Sequence, residues 1–113
     1  MADQCLFCRI GRGEIPAKIV SEDATCIAFR DVSPQAPVHV LVAPRAHVVS
    51  LNDVNSPALM AAVLQMAREV ARQEGIAASG YRVVFNTNGE GGQSVFHLHA
   101  HVLGGRQMGW PPG

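Results

Sequence analysis

The chain has 113 residues, of which 48% are hydrophobic, nine are Lys or Arg, and nine are Asp or Glu. This length and composition predict one folded domain, residues 1–113, with a modest core. The charges cancel and no basic run occurs, so general binding of nucleic acid is disfavoured. No apolar run approaches the roughly 20 residues of a membrane span, and the N-terminus does not resemble a signal peptide. We therefore expect a cytoplasmic protein without a membrane or nucleic-acid partner.

The first half of the chain contains short extended segments. A short helix over residues 5–11 precedes them. Turn signals in SED and DVSPQAP separate three runs of strand length. The predicted strands cover residues 18–21, 25–30 and 38–42.

One long helix follows, in the segment SPALMAAVLQMAREVARQEG. Ser56 can cap its N-terminus, Pro57 suits its first turn, and Gly75 is a suitable stop. Apolar residues recur at four- and three-residue steps and predict a buried stripe. The stripe consists of Leu59, Val63, Met66 and Val70.

Two more strands are predicted in YRVVFNTN and FHLHAHVL, joined by the loop GEGGQSV. Strands, one helix and further strands indicate an α+β fold, with an antiparallel sheet of about five strands.

Three of the five histidines, His97, His99 and His101, lie at two-residue spacing in the last predicted strand. Alternate strand residues share a face, so the three rings should lie together. Leu98, Ala100 and Val102 should then pack under the helix. His97 and His101 would be roughly 13 Å apart at a strand's rise, too far for one zinc ion to bind all three. Three rings that only satisfy hydrogen bonds are the alternative, at a high cost of burial.

His39 lies in another apolar strand and extends this pattern. A neutral imidazole that donates one N–H to a carbonyl or another histidine has a fixed tautomer. Its other nitrogen keeps a lone pair and can act as a nucleophile.

The loop NTNGEGGQS precedes the histidines and contains Gly89, Gly91 and Gly92. It lacks the patterns of a P-loop or a dinucleotide-binding turn. An ordinary hairpin loop is one interpretation. Because Gln93, Ser94 and the histidines follow at once, a cradle for an oxyanion or phosphate is the other.

The segment GGQSVFHLHAHVLGGRQMGWPPG resembles the signature of the histidine triad superfamily, His-φ-His-φ-His-φ-φ with φ apolar. The segments GEIPAKIV, AFRDVSPQAPVHVLVAPRAH and WPPG resemble one branch, the histidine triad nucleotide-binding proteins that are purine nucleoside phosphoramidases. The resemblance extends from about Cys5 to the last residue. Ala100 departs from the pattern as a small residue at the second φ position.

The resemblance implies an α+β fold in which two protomers join their five-stranded sheets into one continuous ten-stranded sheet. It also implies hydrolysis of the P–N bond in adenosine or guanosine 5′-phosphoramidates, with release of AMP or GMP and an amine.

Catalytic roles are also implied by the resemblance. His99 is the nucleophile that takes the nucleotidyl group. His101 and Ser94 contact the phosphate, and Gln93 supports that site. His39 and the backbone carbonyl of His97 position His99.

The nucleotide-binding residues follow in the same way. Asp31 corresponds to the residue that binds the ribose hydroxyls, although a turn residue beside Pro34 is its structural alternative. Asn86 lies beside the phosphate and sugar. The base pocket corresponds to Phe7, Ile10, Phe29 and Val32. Trp110, in the stiff GWPPG tail, lies near the partner's active site.

Cys5 and Cys8 form a C-x-x-C pair with three interpretations: a redox pair, a disulfide, or half of a zinc site. A thioredoxin-like redox pair usually follows a strand, whereas only four residues precede this pair. A cytoplasmic location disfavours a disulfide. Zinc needs two more ligands, for which His47 and His97 are the candidates. Some members of the superfamily bind structural zinc through these positions. Two buried free thiols are the alternative, and Cys26 is read as core.

Four other functions are alternatives at the level of sequence. A nucleotide-binding or scaffolding protein would work through partner contacts with incidental catalysis. Hydrolysis of dinucleoside polyphosphates and nucleotidyl transfer occur within the superfamily. Zinc storage through the histidines is disfavoured by their spread along the strand.

Overall fold

The structure, a computed structural model, describes residues 4–113. Its five strands form one antiparallel sheet in the order β1-β2-β3-β5-β4. The predicted α+β fold, with a five-stranded sheet and one long helix, is confirmed. The elements are α1 (Leu6–Gly11), β1 (Ile19–Glu22), β2 (Cys26–Arg30), β3 (Val38–Pro44), a 3-10 turn (Leu51–Asp53), α2 (Pro57–Gln73), β4 (Tyr81–Val84), α3 (Asn88–Gly91) and β5 (Ala100–Gly104).

Helix α2 has the ends that its sequence predicts. The Ser56 hydroxyl accepts a hydrogen bond from the Leu59 N–H at 3.2 Å, and Pro57 is the first helical residue. Gly75, just beyond the last turn, has a φ of 75°, the left-handed conformation that ends many helices. The buried side of α2 consists of Val63, Met66, Ala67, Val70 and Ala71. Leu59, at the edge of the predicted stripe, is only half-buried.

The sheet separates two apolar clusters. On one face α2 packs against alternate residues of the central strands, including Ala28, Val42 and Val102. On the other face the short helix α1 packs against Ile27, Phe29, Leu41 and Ala43. Because β3 is covered on both sides, nearly all its residues are apolar and buried. Phe7 of α1 contacts the rings of His97 and His99, so the predicted site lies on the α1 face.

Strand β5 begins later than predicted, at Ala100 instead of Phe96. Its pairing with β3 ends at Val42 opposite Ala100. Two residues further along β3 is Pro44, which has no N–H to extend the ladder. Its carbonyl accepts instead from the ring Nε2 of His97, at 2.7 Å. His97 and His99 therefore lie in irregular backbone before the strand.

Two further boundaries differ from the prediction. Strand β4 ends at Val84, so the FNTN segment is not part of it. The loop that follows contains α3, a single helical turn closed by Gly92 at φ 80°. Glycine-rich composition had indicated only an irregular loop.

Strands β1 and β4 are the edges of the sheet. The predicted dimer with a continuous ten-stranded sheet stays a prediction, since a single protomer is described. Within residues 4–113, no helix combines the length and apolarity needed to cross a bilayer.

Candidate active site

A cavity of about 870 Å³ opens on the α1 face of the sheet. Its wall combines apolar side chains of α1 and β2 with histidines from β3 and the segment leading into β5. Residues far apart in the chain therefore converge on one space. The predicted site residues that line it are Phe7, Ile10, Phe29, Asp31, Val32, His39, Ser94, His99 and His101.

The predicted alternation of the histidine segment is found even though half of it lies outside the strand. The ring of Phe7, on α1, lies edge-on to both His97 and His99. The ring of His101 lies 5.0 Å from that of His99. On the opposite side, Ala100 and Val102 pack with α2. The small residue at position 100 is fully buried there, so its departure from the family pattern affects the core face only.

His99 has one nitrogen held and one nitrogen free. Its Nδ1 lies 2.7 Å from the backbone carbonyl oxygen of His97. A carbonyl only accepts hydrogen bonds, so Nδ1 must hold the proton and Nε2 the lone pair. Burial lowers the pKa of His99, which keeps the ring neutral. This is the form that a nucleophilic imidazole requires.

His39 and His101 form a hydrogen-bond chain with a fixed direction. The backbone N–H of Gln35 donates to His39 Nδ1 at 3.0 Å, so the His39 proton lies on Nε2. Nε2 lies 2.9 Å from His101 Nδ1 and donates to it. The proton of neutral His101 therefore lies on its own Nε2. His39 is thus bonded directly to His101, and its predicted role in positioning His99 stays a prediction.

Burial keeps the hydrogen-bonded pair of His39 and His101 neutral. Burial lowers the pKa of His101 to about 4, with smaller contributions from the neighbouring His99 and His39. Burial also lowers the pKa of His39, partly offset by the carboxylate of Asp31. An oxygen of that carboxylate lies 3.4 Å from His39 Nε2. At neutral pH, His101 is thus a donor of one N–H, not a cation.

Asp31 stabilises a backbone turn and also lines the cavity. Its Oδ1 accepts the Ser33 N–H at 2.8 Å, which is the turn role considered as the structural alternative. Its other oxygen, Oδ2, faces His39, and the residue lines the cavity. The turn and a ligand-binding role are therefore compatible.

Gln93 holds the loop that presents Ser94. Its side-chain nitrogen donates to the carbonyls of Val49 and Val95, at 2.7 and 3.2 Å. Its side-chain oxygen accepts the Asn88 N–H at 3.0 Å. Ser94 is exposed on the cavity wall. Gln93 is buried behind the wall, which suits a supporting residue.

Asn86, like Gln93, is a predicted nucleotide-binding residue that does not line the cavity. It is half-buried just beyond β4, and it is not among the described residues that line the cavity.

Four candidate metal ligands meet behind the cavity. The sulfurs of Cys5 and Cys8 and one ring nitrogen each of His47 and His97 all lie within 4.8 Å of one another. Three of the sulfur–nitrogen separations are 3.3, 3.4 and 3.5 Å. Ligands around a tetrahedral zinc, with bonds of roughly 2.1–2.3 Å, lie about this far apart. The donor set therefore fits structural zinc.

The second nitrogen of His97 supports this fit. Its Nε2 donates to the Pro44 carbonyl at 2.7 Å, which leaves the lone pair on Nδ1, toward the sulfurs. A carbonyl partner of this kind is typical behind a metal-binding histidine. The three cysteines are all free thiols, and Cys26 lies in the core as predicted.

Trp110 does not line this cavity and is 83% exposed. Arg82 of β4 contacts the tail, and its guanidinium lies 5.9 Å from the Trp110 ring centroid. The same guanidinium donates to the Gly109 carbonyl at 2.9 Å. The tail is thus fixed beside an edge strand, with its large aromatic side chain in solvent.

Some residues that form the site had no signal in the sequence. Gln35 is not among the described residues that line the cavity, and it acts on the site through its backbone N–H, which any residue except proline could supply. Leu6, Ile15 and Lys18 line the cavity because of where α1 and β1 lie, and no spacing marks them.

The chain is similar to several known proteins. The family model described as HIT domain matches residues 12–108. The purine nucleoside phosphoramidase of Escherichia coli is 46% identical, over 96% of this chain and 93% of that protein. An uncharacterized HIT-like protein of Synechococcus elongatus is 50% identical over the full length of both chains.

Solved structures give the same likeness in three dimensions. The HIT family hydrolase of Legionella pneumophila superposes with a TM-score of 0.95, at 54% identity over 97% of this chain and 100% of that chain. The histidine triad nucleotide-binding protein of Candida albicans superposes with a TM-score of 0.84, at 28% identity over 96% of this chain and 83% of that one.

Proposed function

Because this chain belongs to the HIT domain family, we propose that it hydrolyses the P–N bond of purine nucleoside 5′-phosphoramidates, releasing AMP or GMP and an amine. Its similarity to a purine nucleoside phosphoramidase over nearly the whole chain supports this activity. The observation that favours it most directly is the bond between His99 Nδ1–H and the His97 carbonyl. That bond leaves the unprotonated Nε2 of a buried ring on the wall of the cavity.

The reaction proceeds in two displacements at phosphorus. His99 Nε2 attacks the phosphorus atom, the P–N bond breaks, and the amine takes a proton from solvent as it leaves. A nucleotidyl-imidazole remains on His99. Water then attacks the same phosphorus atom and releases the nucleotide. Overall one water is consumed: its hydroxyl ends on phosphorus and its proton on the amine, so the ring is regenerated.

Charge that develops on the phosphoryl oxygens needs hydrogen-bond donors. Ser94 provides a hydroxyl on the cavity wall, and His101 provides its Nε2–H. The chain from the Gln35 N–H through His39 fixes which nitrogen of His101 holds that proton. His101 is therefore a donor before substrate arrives, so no proton has to move within this pair as charge develops.

The remainder of the cavity suits a purine nucleoside. Phe7 and Phe29, with ring centroids 5.2 Å apart, give an apolar surface for a base. The Asp31 carboxylate faces the polar end of the cavity near His39, where it can accept hydrogen bonds from ribose hydroxyls. Ile10 and Val32 complete the base pocket.

A structural zinc is part of the proposal. Cys5, Cys8, His47 and His97 would hold it, and when bound it would tie the N-terminal segment to the sheet. None of these four residues lines the cavity, so they take no direct part in the reaction.

A homodimer is the proposed assembly. Edge strand β4, helix α2 and the segment before β5 expose large apolar side chains that a second copy could cover. The set includes Met60, Leu64, Tyr81 and Phe96. Trp110, held beside β4, would then lie near the partner's cavity.

Steady-state kinetics on a substrate panel test the proposed function. We expect turnover of adenosine and guanosine 5′-phosphoramidates with fluorogenic amines, at a kcat/KM well above that for a diadenosine polyphosphate. Tight AMP binding without turnover would indicate a nucleotide-binding or scaffolding protein. Preference for the dinucleotide would place the activity in another branch of the superfamily.

A further inference from the structure

His97 belongs to two groups at once. Its ring Nδ1 lies 3.3 Å from the Cys5 sulfur and 3.5 Å from the Cys8 sulfur. Its backbone carbonyl accepts the proton of His99 Nδ1. The side chain is fully buried, and its Nε2 donates to Pro44. The ring that faces the thiols and the carbonyl that orients the nucleophile are therefore parts of one residue.

Phe7 provides a second connection between the same two groups. It lies between Cys5 and Cys8 in sequence and is buried. Its ring lies edge-on to His99, with centroids 5.0 Å apart and planes at 84°. His99 is thus contacted on one side by the His97 carbonyl and on another by the Phe7 ring.

The segment that holds Phe7 cannot keep its position alone. Helix α1 has six residues, far fewer than the roughly 12–15 at which an isolated helix becomes even marginally stable. Its position depends on packing against the sheet and on the interactions of the Cys5 and Cys8 thiols. A metal bound there would fix α1 at its first turn and His97 through its ring.

We propose that Cys5 and Cys8 are positioning residues for the nucleophile: the metal that they bind with His47 and His97 fixes the orientation of His99. They act through the His97 carbonyl and the Phe7 ring, and neither touches the cavity. This inference rests on the proposed function and on the fit of the four ligands to zinc. It assigns to the metal centre a role in catalytic rate that is separate from its role in stability.

The expected effect follows from how sensitive reactions are to geometry. Misplacing a reacting group by about 1 Å can cost roughly 100-fold in rate. Loss of the metal should therefore lower kcat roughly 10- to 100-fold. KM should change less, because Phe29 on β2 and Val32 in the loop after it also line the base pocket and lie outside both the ligand set and α1.

The test compares wild-type protein before and after metal removal with a Cys5→Ser/Cys8→Ser variant. Nitrogen-15 NMR of the histidine rings reports the tautomer of His99, and elemental analysis reports the metal. In zinc-loaded protein we expect one zinc per chain and a single Nδ1–H form of His99. In metal-depleted protein we expect a tautomer mixture and the loss in kcat, both reversed when Zn²⁺ is titrated back. The double variant should show the same defect without rescue.

Cys26→Ala is the matched control. This thiol is buried in the core on the α2 side and belongs to neither group. The variant should unfold at a lower temperature and yet keep the His99 tautomer and kcat when it is measured well below that temperature.

Two results would overturn the inference. One is failure of metal-free wild-type protein to bind Zn²⁺. The other is a metal-free protein that keeps the single tautomer, with kcat within twofold of the loaded enzyme. If loaded wild-type protein shows no turnover at all, the proposed function fails, while the NMR comparison still decides whether the metal fixes His99.

Discussion

The three histidines that line the cavity differ in what holds their rings. His99 donates a hydrogen bond to a backbone carbonyl. His39 instead accepts one from a backbone N–H and donates its own N–H to His101. The same side chain is thus suited to nucleophilic attack at one position and to hydrogen-bond donation at another. The difference arises from backbone partners, because all three rings are buried enough to have a lowered pKa.

The lowered pKa values of the buried histidines predict an unusual acid limit. Burial lowers the pKa of His99, the ring that must be neutral to attack phosphorus, and it lowers the pKa of His101 to about 4. Attack should therefore survive below the usual histidine pKa of about 6.5. We expect kcat/KM for a phosphoramidate to stay nearly level as the pH falls through 6.5, and to drop only at lower pH. An acid limb centred at or above 6.5 would contradict this.

The lowered pKa of His101 also affects stability. The unfolded chain protonates this ring near pH 6.5, while the folded chain resists until about 4. The stabilisation by neutral His101 is therefore complete above 6.5 and is lost as the pH falls between these values. Urea unfolding at several pH values should show this loss in the free energy of unfolding. In the His101→Asn variant, that free energy should depend less on pH over the same range.

Asp31→Asn separates the ribose role from the turn role. Asparagine can still accept the Ser33 N–H, so the turn persists, but the charge facing the cavity is lost. A charged hydrogen bond contributes about 1.5–3 kcal/mol, so AMP should bind at least ~10-fold more weakly. Binding of 2′,3′-dideoxy-AMP should hardly change. Calorimetry with both ligands measures this, and equal losses for the two would indicate a structural role instead.

At the scale of elements, the ends of α2 show how local chemistry defines a helix. Ser56→Ala removes the acceptor for the Leu59 N–H and should lower the free energy of unfolding by about 1 kcal/mol. Ser56→Asp keeps an acceptor and should retain most of the stability. Urea denaturation of the three proteins checks the order. Identical midpoints for Ser56→Ala and wild type would argue against the cap.

Much of the element order could be predicted because hydrophobic period and turn residues are local signals. The cap, the stop at Gly75 and the alternation from His97 to Val102 are examples. The start of β5 could not be predicted, because it depends on Pro44 lying opposite, a contact 53 residues away along the chain from His97. The single turn of α3 was missed since glycines give no helical signal.

The site was predictable to a different degree in each part. The histidine spacing indicates nucleophilic chemistry by itself, but the base pocket and Asp31 were placed only through family resemblance. The contribution of Gln35 is a backbone group and leaves no trace in sequence. The family resemblance gave His39 a role in positioning His99, and that role stays a prediction. The bond from His39 to His101 depends on the register of β3 and β5, which the sequence alone does not show.

At the scale of the whole molecule, the tail connects the fold to the proposed dimer. Trp110 is largely exposed, and Arg82 fixes the tail beside edge strand β4. Deleting residues 110–113 should change selectivity among amine leaving groups more than the rate on a small amine, because only a bulky group would reach the partner's tail. Kinetics with matched small and bulky amidates measure the difference.

Trp110→Ala is the milder companion to that deletion. It should change selectivity in the same direction, with an unchanged dimer in analytical ultracentrifugation. Equal losses on every substrate, or a monomer in solution, would contradict the proposed role of the tail.

The proposed reaction depends on covalent attachment of the nucleotide to His99. The direct measurement is mass spectrometry of peptides from a reaction that has been quenched during turnover of an adenosine phosphoramidate. We predict an adenylyl group on His99, and its absence in His99→Asn, which should still bind AMP while turnover falls by several orders of magnitude. An adduct on His97 or His101, or substantial turnover by His99→Asn, would contradict the account.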